Sequence, residues 1–137
     1  MRVFFDSSAF AKRYIQEAGT EIVLLRCDRA TEIGLAVIAL PEIISAFCRL
    51  QREGKITQIQ YQQLKQSLLS DVEDLAICDL TTEVIHQSIL SLESNALRGM
   101  GAIHIGCAVA FQAEIFVSAD KRQCEAAACA GLKVEKA

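Results

Sequence analysis

Two hydrophobic rhythms alternate along this chain. Short apolar runs, the mark of strands buried on both faces, occur at Arg2-Val3-Phe4-Phe5, Gly34-Leu35-Ala36-Val37-Ile38, Leu75-Ala76-Ile77-Cys78 and Ile115-Phe116-Val117, with Leu132-Lys133-Val134 as a short fifth. Between them apolar positions recur at helical spacing. Ser7 and Ser8 read as caps of a helix running through Ala9, Phe10 and Tyr14 to Gly19, and Thr20 as the cap of another that reaches Ala30. Pro41 sits at a favoured first helical position, and Leu40, Ile43, Ile44, Phe47 and Leu50 form an apolar face that ends before Gly54. Thr57 to Val72 carries Tyr61, Leu64, Leu68 and Val72 on one stripe, with Gln58, Gln60, Gln62, Gln63 and Gln66 as its solvated face. Thr81 or Thr82 caps a helix bearing Val84, Ile85, Ser88, Ile89 and Leu92. Ala102 to Gln112 is apolar almost all round and predicts a buried helix; Ser118 to Ala130, stopped by Gly131, is the last.

Strands alternating with helices predict an α/β fold with a parallel sheet covered on both faces. Ligands in such folds bind beyond the C-terminal ends of the strands, so the residues that follow each strand carry the functional information. Composition adds boundaries. The chain is 52% hydrophobic with a single proline, enough apolar material for a core that needs no disulfide or metal staple. No linker, repeat or low-complexity stretch divides residues 1–137, which read as a single domain. The six cysteines form no CxxC pair and lie scattered in apolar segments, which predicts free thiols in a reducing compartment rather than a zinc site. No signal peptide is visible and no apolar run reaches the roughly 18–20 residues of a membrane span; a soluble, cytoplasmic protein without membrane contact is expected. The net charge of −3 argues against tight non-specific nucleic-acid binding. It leaves open an enzyme that meets RNA through a local basic rim.

Three acids stand after the strands. Asp6 follows the first directly, Asp120 follows the fourth, and Glu42 lies in the first turn of the helix after the second. Converging carboxylates suit a hard divalent cation, which takes oxygen ligands, lowers the pKa of a bound water and stabilises phosphoryl oxygens. Each acid also has a structural reading as a helix cap or a partner of the helix dipole.

The run Phe5-Asp6-Ser7-Ser8-Ala9-Phe10-Ala11-Lys12-Arg13-Tyr14, followed by Glu17-Ala18-Gly19, resembles the opening motif of PIN-domain ribonucleases of the VapC toxin type. Pro41-Glu42-Ile43 resembles their second acidic position, Leu97 to Ala108 their third motif, and Val117-Ser118-Ala119-Asp120-Lys121-Arg122 their last. The four motifs appear in order and span essentially the whole chain. The resemblance implies a PIN-like α/β/α sandwich with a central parallel sheet of about five strands. It also implies Mg²⁺- or Mn²⁺-dependent cleavage of structured RNA such as tRNA or rRNA, a homodimer, and a cognate antitoxin whose tail enters the active-site groove. By that resemblance Asp6, Glu42 and Asp120 are the catalytic acids, Asp6 and Asp120 the metal ligands, and Ser118 the supporting hydroxyl. Lys12, Arg13 and Arg98 become candidates to contact RNA phosphates or the carboxylates.

One position departs from the pattern. Gly101 stands where the family carries its third acid, and His104, one turn on, is usual for the family and no substitute. Losing a carboxylate weakens divalent binding, because each anionic ligand offsets the cost of dehydrating the ion. A degenerate copy, an inactivated variant, and a site in which three acids still hold a metal all fit. Two other enzyme classes fit poorly. A haloacid-dehalogenase phosphatase carries a second Asp where Ser8 stands, and a receiver domain wants an acidic pair after the first strand and a Lys after the last. The alternative from a different class is a catalytically dead PIN-fold module that binds antitoxin or RNA.

Overall fold

The computed structural model describes residues 1–137. A five-stranded sheet, β1 (Arg2–Phe5), β2 (Glu32–Ala36), β3 (Ala76–Cys78), β4 (Ile115–Ser118) and β5 (Lys133–Lys136), runs in the order β3-β2-β1-β4-β5 with every pairing parallel. Seven helices cover it: α1 (Ser7–Phe10), α2 (Thr20–Arg29), α3 (Ala39–Arg52), α4 (Gln58–Asp71), α5 (Thr82–Ser94), α6 (Gly99–Phe111) and α7 (Lys121–Cys129).

The alternation of side chains along β1 divides the core. Val3 and Phe5 join Phe10, Val23, Ile43 and Leu68, from α1 to α4, on one face. Phe4 joins Phe116, Val84, Ile105 and Ala126, from β4 and α5 to α7, on the other. Phe4, Phe5 and Phe116 are wholly buried, each contributing roughly 1.5–3 kcal/mol of transfer free energy. The result is the α/β/α sandwich that the two rhythms predict, with β1 and β4 at the sheet's centre and their C-terminal ends side by side.

Several boundaries differ from the sequence reading, each for a physical reason. The first helix does not run to Gly19: α1 ends at Phe10, a 3₁₀ turn follows over Ala11–Arg13, and the chain then bends. Thr20 locks that bend, its hydroxyl accepting from Glu17 N at 3.0 Å and donating to Lys12 O at 3.0 Å. Thr20 is therefore the first residue of α2, not its cap. Asp6, rather than Ser7 or Ser8, caps α1. β2 begins at Glu32 and α3 at Ala39, both two residues earlier than the pattern indicates; Pro41 is tolerated inside the first turn because its missing N–H is one of the groups a helix leaves unpaired there. Thr57 caps α4 through a reciprocal box with Gln60, and Thr81 caps α5. α6 starts at Gly99, three residues before the apolar pattern begins, which brings Gly101 inside its first turn. α7 starts only at Lys121 because β4 extends through Ser118 and Asp120 is its cap.

α5 and α6 cross closely at Gly106, where a Cβ would stand 2.5 Å from Val84 O and 2.6 Å from Ser88 Oγ. Only glycine permits that approach. All six cysteines are free, Cys107 alone fully buried and Cys129 exposed. No helix is long and apolar enough to cross a membrane.

Candidate active site

The site is built where β1 and β4 end. Asp6 leaves β1 with its backbone N–H still donating to Val117 O at 3.1 Å, so it is held at the sheet's edge. Its side chain turns back to cap α1, Oδ1 accepting from Ala9 N at 2.9 Å. Ser118, the last residue of β4, donates its hydroxyl to Asp6 Oδ2 at 2.6 Å. Ser8 Oγ lies 2.8 and 2.9 Å from the two carboxylate oxygens and itself accepts from Ala119 N at 3.1 Å. Asp6 is 0% exposed. Burial pushes its carboxyl above the ordinary range, opposed by the Ser118, Ala9 and Ser8 hydrogen bonds and by His104.

Ser118 joins this acid to the next. Its Oγ accepts from Asp120 N at 3.0 Å while donating to Asp6, so one hydroxyl sets the spacing of two carboxylate-bearing residues from different strands. Asp120 caps α7, Oδ1 accepting from Arg122 N at 2.8 Å and Gln123 N at 3.1 Å, and remains exposed. Both Asp6 and Asp120 are thus helix caps as well as candidate site residues. The two readings of a post-strand acid are compatible, because capping leaves carboxylate lone pairs free.

Glu42 reaches the same edge from the first turn of α3. Ser7 Oγ donates to its Oε1 at 2.5 Å, and His104 Nε2 lies 2.7 Å from that oxygen. A carboxylate acceptor at that distance calls for a proton on Nε2, while Nδ1 is buried and without a partner. The His104 hydrogen bond, helped by Ser7 and opposed by partial burial, holds Glu42 below the ordinary carboxylate range. His104 is 2% exposed and positions Glu42.

Around these groups the surface is concave. Ser7, Ser8, Glu42, His104, Ala119 and Gln123 border an open groove of about 640 Å³ whose far wall, from α3 and the segment after α1, is largely apolar. A second depression joins it at Glu42 and Gln123 and is lined by Asp120, Gly101 and three cations, Arg98, Lys121 and Arg122. Two of the cations proposed from the sequence stand elsewhere in role. Lys12 borders the groove but is 9% exposed, its Nζ donating to Ala18 O at 2.5 Å and Ala137 O at 3.1 Å. Its ammonium is already engaged as a strut between two stretches of backbone. Arg13 Nε pairs with Asp71 at 3.1 Å, in a cleft against α2 and α4 away from the carboxylates. Arg98 alone of the three lies beside Asp120.

At Gly101 there is no acid and no stand-in carboxylate. A Cβ there would stand 3.1 Å from Leu97 Cδ1, 3.3 Å from Gln123 Cγ and 3.5 Å from Gln123 Cδ. Gln123 therefore lies over the position, and its Oε1 is buried without a partner. Ser7, Ser8 and Gln123 line the groove beside the acids, a place that the sequence reading gave to none of them. The Asp-Ser-Ser run was signal enough for the two serines, whereas a lone glutamine on an exposed helix carries none.

The Mg²⁺ or Mn²⁺ implied by the resemblance meets a donor set of the right kind. Asp120 and Glu42 offer hard oxygens in the depression and Asp6, wholly buried, a third behind the Ser8 hydroxyl, while the Gln123 Oε1 beside them is buried without a partner. The set is short of one anionic ligand, and no three His, Cys, Asp or Glu side chains stand together as a metal cluster.

No protein-family model and no curated protein sequence matches the chain. Solved structures do. Among them are the sarcin-ricin-loop-cleaving toxin VapC20 of Mycobacterium tuberculosis (TM-score 0.66, 12% identity, 95% of each chain covered) and VapBC2 of Rickettsia felis bound to a DNA fragment from its promoter (TM-score 0.68, 13% identity, 100% of this chain and 99% of that one). FitAcB of Neisseria gonorrhoeae is a third (TM-score 0.69, 12% identity, 96% and 95%). The chain has the PIN-like α/β/α fold of VapC-type toxin chains.

Proposed function

We propose that the chain is a toxin-type endoribonuclease that uses a divalent metal, Mg²⁺ or Mn²⁺, on structured RNA, with a site weakened by the glycine at 101. The observation that carries the reading is the coupling of Asp6 and Asp120 through the Ser118 hydroxyl, with Glu42 held ionised beside them at the same sheet edge. The likeness in fold to a sarcin-ricin-loop-cleaving toxin supports it.

Asp6 and Asp120 would hold the ion and Gln123 border it; bound, the metal supplies Lewis acidity toward a phosphate and an acidified water. The rest is the work of the chain's own groups. Glu42 Oε1 is taken by Ser7 and His104, leaving Oε2 without a protein hydrogen bond and able to accept a proton. Ser8 hydroxyl covers Asp6, so its rotation precedes any ligand's approach to that carboxylate. Arg98, Lys121 and Arg122 provide the local basic rim that a net-acidic protein needs to meet a phosphate backbone. A cognate antitoxin and a homodimer complete the proposal; toxin-antitoxin complexes among the structures of like fold support the first.

The second reading, a catalytically dead module that binds antitoxin or RNA, has one observation in its favour, the absence of a three-ligand cluster. The test compares Mn²⁺-dependent cleavage of total tRNA by the chain, by Gly101→Asp and by Asp6→Ala. Cleavage by the chain or by Gly101→Asp, lost in Asp6→Ala, is the expected result. No cleavage and no metal binding by either moves the binding module to the front.

A further inference from the structure

Gln123 is the group at this edge whose placement the nuclease reading leaves unexplained. It is the third residue of α7, anchored by its backbone N–H to Asp120 Oδ1 at 3.1 Å. Its neighbours Lys121 and Arg122 point into solvent, and an amide on this helix has the same freedom. Instead the side chain folds across to α6 and fills the space above Gly101, Cγ and Cδ standing 3.3 and 3.5 Å from where a Cβ would begin. There its Oε1 is shut from water and accepts no hydrogen bond. An amide oxygen so treated has lost its water without gaining a partner, which disfavours the placement. A packing role alone does not account for it, since an apolar side chain would cover Gly101 at no such cost.

We infer that Gln123 stands in for the missing carboxylate at 101, its amide oxygen serving as a neutral donor to the divalent ion. The inference rests on the metal-site reading above. Side-chain amide oxygens are ordinary ligands of hard divalent ions. The replacement restores an oxygen but not a charge, so the ion is held more weakly than by a full set of acids. It also makes positions 101 and 123 alternatives. A side chain at 101 displaces Gln123, and the contacts it meets are the ends of two flexible side chains, Leu97 and Gln123, which yield readily.

The experiment is a Mn²⁺ titration of the full chain followed by the electron paramagnetic resonance of the free ion, on the parent, Gln123→Leu, Gln123→Glu, Gly101→Asp, the double variant Gly101→Asp/Gln123→Leu, and Asp6→Ala. Thermal unfolding without metal accompanies each variant as a check of the fold. Gln123→Leu, which keeps the cover over Gly101 and removes the oxygen, is expected to weaken Mn²⁺ binding roughly tenfold or more, and Gln123→Glu to tighten it. In the Gly101→Asp background Gln123→Leu is expected to change affinity less than about twofold, because the acid has taken over and the two sites are coupled. Gln123→Leu binding Mn²⁺ as tightly as the parent, while Asp6→Ala does not, overturns the inference and leaves the metal site standing. Asp6→Ala binding as tightly as the parent overturns the metal site itself and Gln123's role with it.

Discussion

At the scale of single residues, the hydrogen bonds around each acid decide its chemistry. Glu42 is held ionised by His104 and Ser7, so its folded carboxyl titrates below the unfolded one. That sign means Glu42 contributes stability above the unfolded value of about 4.3, lost as pH falls through the folded value. Glu42→Gln is expected to lower stability at pH 7 by on the order of 1 kcal/mol, discounted for its partial exposure. The deficit should shrink as pH falls below the unfolded value, as read by urea unfolding at neutral and acid pH; an equal deficit at both would show that the charge is not what His104 and Ser7 stabilise. The cysteines divide just as plainly. Burial pushes the Cys107 thiol up to about 12, whereas Cys129 is exposed. Alkylation of the folded protein at pH 8, followed by peptide mass mapping, should label Cys129 and spare Cys107.

At the scale of elements, the period of the apolar pattern identified every strand and nearly every helix, because a buried parallel strand and an amphipathic helix write different spacings. It failed where the determinants are polar or absent. The break after Phe10 is set by Thr20 bonding back to Lys12, a contact between residues eight apart that no periodicity records. The first turn of α6 contains Gly99, Met100 and Gly101, which carry no stripe, so the helix appeared to start at Ala102. The close crossing of α5 and α6 was equally hidden, since Gly106 has no side chain to read. Gly106→Ala is expected to destabilise the fold by roughly 1–3 kcal/mol through overpacking against Val84 and Ser88, seen as a fall of several degrees in Tm. A Tm at or above the parent's would mean that the two helices are not held at this distance.

At the scale of the whole molecule, the fold's contribution is to place three distant stretches of chain at one edge. Strand order β2-β1-β4 puts the ends of β1 and β4 together, and α3, entering after β2, delivers Glu42 beside them. That Asp6, Glu42 and Asp120 would reach one edge was legible from their positions after the first, second and fourth strands. The geometry among them was not, because it is set by hydroxyls and an imidazole: Ser118 between the aspartates, Ser7 and His104 on the glutamate. Nor could charge alone sort the cations, since Lys12 is consumed by two backbone carbonyls and Arg13 by Asp71, while Arg98 stays beside Asp120. Charge reversal of Arg98 and Arg122 to Glu should weaken binding of a structured RNA and flatten its salt dependence, whereas Arg13→Ala should leave the salt slope unchanged, both read by filter binding between low and physiological salt. In the proposed function this edge is a divalent-metal site resting on Asp6 and Asp120. Calorimetric titration of Mn²⁺ into the parent, Asp6→Ala and Asp120→Ala is then expected to show weak binding by the parent and a clear loss in both variants, and unchanged Mn²⁺ affinity in both would contradict it.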